Sequence, residues 1–547
     1  MDLLASEIKK VINGEVSEDY KTLEFYSRDA SLFKLKPKVV VFPNGPKDIS
    51  ALIKFINTEN KKDRHLSLTP RSGGTDMSGG AIGQSIIIDM TRYFNIIREL
   101  GAGFAITEPG VYYRDFERET MKKNLLLPSY PASREICTMG GMVANNSAGE
   151  KTLAYGKTEN YVEELNVVLA DGNEYKFKEL SLSELEEKKK LNNFEGEVYR
   201  KMHQLLDENY ERILNAKPRV SKNSAGYNLW GIYDRNKGTF DLNKLFSGSQ
   251  GTLGVITKIK FKLINPKRHS RLLVIFVKDF NQLAGLANHV LAFRPESFES
   301  FDDHTFMVAM KLFPEIIKRM KGNFISLGLK FLPEFWAVVT GGIPKLVLIA
   351  EFTADTDGEA LSKACEAKAS LREFHIKTRI TNAKEGEKYW VMRRESFNLL
   401  RHRVQGMHTA PFIDDIIVRP DKLPEFLPEL YGILNQYKNI IYTIAGHVGD
   451  ANFHIIPLMD FKRPETRKII AELSEKVFDL TIKFGGSITG EHNDGLIRGP
   501  FLERMFGSEV FRLFKETKNI FDPNNVFNPD KKTGASFQFA IDHILRA

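Results

Sequence analysis

Four residues carry the first sign of chemistry: His447 and His454 in "GHVGDANFH", and the adjacent Glu491 and His492 in "GSITGEHNDGLIRGP". The two histidines stand seven positions apart, a spacing that on one strand puts them on opposite faces. Gly446 and Gly449 argue against a helix. The reading that remains places His447 in a glycine-rich turn and His454 on a strand opening "NFHIIPL". Asn452 then shares a face with His454, and the turn curls His447 back toward it. A histidine alone is more often a core or surface residue than a ligand, so the pair needs a third partner. Glu491 supplies one, completing a three-ligand set suited to zinc or a similar divalent ion with an open position. If residues 491 and 492 are extended, one serves the metal while the other faces substrate. An ordinary Glu–His pair on a surface loop is the competing reading.

A second group of residues is built for an anion. In "PRSGGTDMSGG", Arg71, Ser72, Gly73, Gly74, Thr75, Asp76, Ser78 and Gly79 follow a strand pattern, and glycine lets successive amides form a nest for phosphate. The stretch is neither a Walker loop nor the dinucleotide fingerprint, so by itself it reads equally well as a plain turn. A second cluster, "CTMGGMVANNSAGEKTLAYG" from Cys137, and a third, "SGSQGTLGVIT" from Ser247, weigh against that. Three such loops imply a long ligand containing a pyrophosphate.

The elements that must hold these groups alternate along the chain. "VVVFP", "HLSLTP" and "SIIIDM" read as strands around the helix "PKDISALIKFINTEN", and "RLLVIFV", "LVLIAEF" and "NIIYTIAGHVG" as strands of a later sheet. The expected fold is α+β. A helical lead-in covers 1–34, and a domain over 35–267 carries the glycine loops, with a charged insertion over its surface at about 178–244. A second α+β domain covers 268–484, and 485–547 closes back on the first. At 547 residues, 42% hydrophobic and 27% charged, the chain is long enough for two or three ordinary globular domains. The net charge of +8 is diffuse; it suits anionic metabolites, and no nucleic-acid-binding module accompanies it. Cys137 and Cys365 alone exclude a disulfide framework and an intrinsic four-cysteine cluster. The N-terminus lacks a signal-type apolar core, so a cytoplasmic protein is expected. The apolar stretch 322–352, preceded by basic "KRMKG", reads as a helix, loop and buried strand, with peripheral contact at the cytoplasmic membrane face as the alternative.

In order, "PRSGGTDMSGG", "PASREICTMGGMVANNSAG", "LNVVLADG" and "GSQGTLGVIT" resemble the FAD-binding domain of the vanillyl-alcohol-oxidase type flavoproteins, from about Pro37 to Lys532. The resemblance implies a PCMH-type FAD-binding domain of two α/β subdomains and an α+β substrate (cap) domain with an antiparallel sheet. It assigns the FAD pyrophosphate to the loop at Ser72–Gly79. Pro131, Ser133, Thr138, Gly140, Gly141, Asn145 and Gly149 would line nucleotide and flavin, Val255 and Ile256 the flavin or adenine end, and Asn528 the cofactor site. Some relatives carry a flavin-linked histidine where this chain has Thr75, so FAD is expected to be noncovalent.

"GHVGDANFH" and "GEHNDG" further resemble the paired motifs of the FAD-dependent D-2-hydroxyacid dehydrogenases. That resemblance implies metal ligands at His447, His454 and Glu491, a base at His492, a carboxylate-binding guanidinium at Arg393 of "YWVMRRESF", and substrate contacts from Arg393, Asn452 and His492. The expected substrate is a small 2-hydroxy acid of the lactate, glycolate or 2-hydroxyglutarate type, with a quinone or an electron-transfer or iron–sulfur protein as acceptor; a homodimer is compatible. This chain departs from many relatives in having "EHNDG" for "EHGIG", and Ile413 where a lysine precedes the aspartate matching Asp415. Arg401, His402, Arg403 and His408 are alternatives for meeting a distal carboxylate. The rival readings are a flavin subunit active only with an iron–sulfur partner, and a non-redox member of the fold such as an ether-lipid synthase.

Overall fold

The computed structural model describes residues 3–303, 343–403, 406–437 and 440–546, with the backbone alone for 394–403. The membrane alternative for 322–352 falls mostly outside these residues, as do the side chains of Arg401, His402 and Arg403. No helix among the described residues is long and apolar enough to cross a membrane.

Two sheets build the first part of the chain. Strands β1 (Glu15–Ser17), β2 (Val39–Phe42), β3 (Leu68–Arg71) and β4 (Ile86–Asp89) run in the order β1-β2-β4-β3, with β2, β4 and β3 parallel. "VVVF" and "IIID" are wholly buried, as expected for parallel strands covered on both faces. Helix Pro46–Asn60 covers one face with Ile49, Leu52, Ile53 and Ile56, a spacing that lines up on one side of a helix. The first glycine loop leaves the end of β3.

The second sheet is antiparallel: β5 (Ile97–Leu100), β6 (Phe104–Thr107), β7 (Val162–Val168), β8 (Glu174–Lys178) and β12 (Val255–Lys262), in the order β5-β6-β12-β7-β8. Three short strands, β9 (Leu180–Ser181), β10 (Tyr233–Asp234) and β11 (Thr239–Phe240), pair within the segment expected to be an insertion. Part of that segment does not stay on the surface. Lys222 is 2% exposed and reaches the histidine site.

An antiparallel sheet forms the second domain, from β13 (His269–Val277), β14 (Ser297–Asp302), β15 (Leu346–Ala354), β16 (Lys377–Asn382), β17 (His408–Thr409), β19 (Ile441–His447) and β20 (Asn452–Met459), with β18 (Ile416–Ile417) paired to β20. The observed fold is therefore the α+β architecture the motifs imply. The C-terminal segment returns to the first sheet: Leu68 N donates to Val526 O (2.8 Å), and Phe33 bridges Ile544. Lys151 and Tyr155, at the end of the second glycine cluster, meet Glu296 of the second domain; Tyr155 Oη lies 3.1 Å from Glu296 Oε2.

Candidate functional site

A β-hairpin brings the two histidines together. His447 is the last residue of β19 rather than part of the turn, which occupies residues 448–451. The register pairs His447 with Asn452, Ala445 with His454 and Thr443 with Ile456. All six side chains therefore belong to one face, because both strands keep the period of two across the pairing. The separation that opposes two residues on a single strand makes them diagonal neighbours once the chain reverses. Their ring centroids are 5.2 Å apart. Gly446 permits this pairing, since a Cβ there would collide with the carbonyl of Asn452. His492 arrives on the separate 489–494 loop and stacks on His454, centroids 5.0 Å apart.

A buried carboxylate lies against Nδ1 of each imidazole, hydrogen-bonded to His447 and His454 and in ion-pair contact with His492. Glu299 Oε1 lies 2.6 Å from His447 Nδ1. Asp414 serves the other two rings, with Oδ1 3.0 Å from His454 Nδ1 and Oδ2 2.6 Å from His492 Nδ1. Nε2 is thereby the nitrogen each ring turns away from its carboxylate, the arrangement carboxylates impose on metal-binding and proton-accepting histidines. His447 Nε2 is 3.1 Å from Glu491 Oε1, and Lys222 Nζ approaches the same oxygen at 2.6 Å while pairing with Asp450 at 3.0 Å.

Asp415 organises the loop itself. Its Oδ2 accepts from Thr489 Oγ1 and from the amides of Glu491 and His492 at 2.6–2.8 Å, and its Oδ1 from Asn452 Nδ2 at 3.0 Å. Arg393 stands across the site, one guanidinium nitrogen paired with Glu299 Oε2 and its Nε buried without a hydrogen-bond partner.

Burial disfavours charge in this site, yet for His447, His492, Glu491 and Asp414 the neighbouring charges override it. His447 is lifted to about 9 against burial by Glu299 and Glu491, and His492 to about 9 against burial by Asp414 and Asp415. Burial would push Glu491 up, but His447 and Lys222 hold it well below the usual carboxylate range. Asp414 is held low in the same way by His492 and His454. Lys157, whose Nζ donates to Asn223 O and Gly490 O, falls to about 8 chiefly through burial.

Asp415, His454, Glu491 and His492 offer ligand atoms that all lie within 4.8 Å of one another. Asp415 already accepts four hydrogen bonds, which suits it to scaffolding the loop. His454, Glu491 and His492 remain as donors that fit a divalent cation; His447, a ligand the motifs imply, lies outside that group, its Nε2 3.1 Å from Glu491 Oε1.

These side chains close one end of a cavity of about 630 Å³ whose other walls are the glycine loops. Arg71, Ser72, Gly73, Gly74, Thr75, Asp76, Pro131, Ser133, Thr138, Gly140, Gly141, Asn145, Val255, Ile256, Arg393, His447, His454, Glu491 and His492 all line it. Gly74 adopts φ +64, over the Arg71 guanidinium, a conformation and closeness that glycine alone meets easily. Five expected residues stand behind the wall. Ser78 donates to Asp76, Gly79 turns the chain at φ +86, and Gly149 N bonds Thr152 Oγ1. Asn452 is fully buried on Asp415, and the Asn528 amide is spent on Gly80 O and Gln250 O at 2.8 Å each. His408 is exposed and stacks on Phe461, while Ile413 is fully buried.

Sequence reasoning missed Glu299, Asp414, Lys157 and Lys222, and named Asp415 only as the match of a family aspartate, without a role. The acids did leave a trace: "SFESFD" and "PFIDDIIV" put carboxylates in otherwise apolar strand patterns, where an unpaired charge is costly. No local signal marked either lysine.

The glycine-walled cavity against an antiparallel cap sheet is the architecture of the PCMH-type FAD-binding proteins. The fold matches the 4-ethylphenol oxidase of Gulosibacter chungangensis at TM-score 0.69, with 14% identity, covering 98% of this chain and 97% of that one. It matches p-cresol methylhydroxylase at 0.68, with 15% identity over 98% and 96%. Residues 37–178 match the FAD binding domain family, and 266–532 the family described as FAD linked oxidases, C-terminal domain. The chain belongs to the FAD-linked oxidases. It is 26% identical over 529 residues to D-2-hydroxyglutarate dehydrogenase of Pseudomonas putida, covering 95% of this chain but 50% of that protein. It is also 26% identical to D-lactate dehydrogenase of Archaeoglobus fulgidus, over 90% of each. The chain thus spans about half the length of the Pseudomonas putida protein and of the Escherichia coli D-2-hydroxyglutarate dehydrogenase, but 98% of the D-2-hydroxyglutarate dehydrogenase of Stutzerimonas stutzeri, to which it is 24% identical.

Proposed function

We propose that this chain oxidises a D-2-hydroxy acid to the 2-oxo acid with noncovalent FAD and a divalent metal, zinc being the leading candidate, and passes the electrons to a quinone or protein acceptor. The observation that carries the reading is the end of the cavity where His447, His454, Glu491, His492 and Arg393 all face one space beside the glycine loops. When bound, FAD supplies the hydride acceptor and the metal a Lewis acid that lowers the pKa of the substrate hydroxyl.

The chain's own residues do the rest. His447, His454 and Glu491 would hold the metal. His492, in its neutral form, takes the hydroxyl proton at Nε2, with Asp414 Oδ2 2.6 Å from its Nδ1 on the far side of the ring. Arg393, which lines the cavity, offers its guanidinium to the substrate carboxylate. Thr75, at the position where some relatives carry a flavin-linked histidine, stands in the cavity wall without that imidazole.

Anaerobic titration of the purified flavoprotein with D- and L-2-hydroxy acids tests the reading. Bleaching of the oxidised flavin by D acids is expected. No bleaching by any of them, with metal present, overturns it.

A second reading follows from the length of the P. putida relative, of which this chain matches half: a flavin unit whose turnover needs a separate iron–sulfur partner. Robust turnover of the isolated chain with artificial acceptors argues against that.

A further inference from the structure

The departure "EHNDG" puts Asn493 directly after His492, and Asn493 is fully buried at φ +68. Glycine and asparagine are the residues that enter this left-handed region most readily, so the backbone alone would accept either. The amide adds what glycine cannot. Its Nδ2 donates to Gly248 O (2.8 Å) and Asn145 O (3.3 Å), and its Oδ1 accepts from Lys532 Nζ (2.7 Å) and Asp494 N (2.8 Å). Both donors and both acceptor positions are used, a fully satisfied buried group that resists displacement.

The partners are what matter. Asn145 belongs to the second glycine loop and Gly248 to the third. Two residues on, Gly495 N donates to Gln250 Oε1 of the third loop (2.9 Å); Leu496 N then donates to Ser78 O of the first (2.9 Å). The four residues after the proposed base therefore touch all three cofactor loops. Immediately before them, Glu491 and His492 are pinned through their amides to Asp415.

We propose that Asn493 is a positioning residue that holds the Glu491–His492 loop in register with the three flavin-binding loops, coupling the cofactor site to the metal and acid–base site. The inference rests on the functional reading above for what His492 does, but the coupling is testable without substrate.

Asn493→Gly deletes the amide while keeping a residue at home at φ +68. Zn²⁺ is titrated into the oxidised holoprotein while the flavin absorbance is followed, with bound Zn²⁺ and FAD quantified separately. The wild type is expected to show a saturable flavin difference spectrum, and the variant to lose it with FAD and Zn²⁺ still bound. Reduction by the best D-2-hydroxy acid is expected to slow by ~10-fold or more with KM unchanged, since small misplacements of a reacting group are costly. A wild-type protein without a difference spectrum, or a variant matching the wild type in spectrum and rate, overturns the proposal. So does a loss that merely follows lost FAD or Zn²⁺. If no acid reduces wild-type flavin, the functional reading fails while the Zn²⁺ titration still decides the coupling.

Discussion

Asp414 has one carboxylate and two clients. It orients His454, a proposed metal ligand, and His492, the proposed base, so its loss should damage both roles together. Asp414→Asn is expected to weaken metal binding by about 10–100-fold, the usual cost of removing a carboxylate behind a metal-binding histidine, measured by competition with a chelating dye. His492→Gln separates the roles: it should retain FAD and metal while flavin reduction falls by ~10²–10⁴-fold, read in single-turnover mixing. At this scale the residue types were legible. His447, His454, Glu491 and His492 could be singled out from two short motifs; Glu299 and Asp414 could not be joined to them, because Glu299 is 148 positions from His447 and Asp414 is 40 from His454.

The decisive element is the hairpin of β19 and β20. Parity along one strand is readable in sequence, but the parity between two strands depends on where the chain turns. Placing His447 inside the turn was a natural reading of Gly446 and Gly449; the structure instead uses Gly446 for close cross-strand approach. Gly446→Ala is expected to lower stability and metal content together, because the added Cβ meets main chain, which has nowhere to yield. Thermal melts with metal quantification check this.

The segment at 178–244 carries a different signature. Burial raises Asp241 to about 6. Its folded pKa lies above the unfolded one, near 4, so its contribution to stability is full below pH ~4 and is lost as pH rises through about 6. Asp241→Asn should therefore gain stability relative to the wild type between pH ~4 and ~7, by up to about 3 kcal/mol, in urea unfolding at the two pH values.

For the whole molecule, the cofactor cavity is enclosed by segments spread from Arg71 to His492. FAD binding should stabilise the entire fold rather than one loop, by about 4 kcal/mol at a thousandfold excess over Kd. A single cooperative melt that moves upward with added FAD is expected; two transitions, only one of them FAD-dependent, would contradict it.

The sequence by itself determined the α+β class, the three glycine loops, the pyrophosphate-bearing ligand they suit, and the histidine and glutamate types of the second site. Those are properties of local pattern: glycine's permissive backbone, the period of a strand, the coordination chemistry of side chains. Only the tertiary structure decided which carboxylate holds which imidazole, that Lys222 passes inward to Glu491, and that Asn452 and Asn528 stand behind the cavity wall. A buried charge must find its partner in space, and strand register and domain closure, not sequence distance, bring that partner within reach.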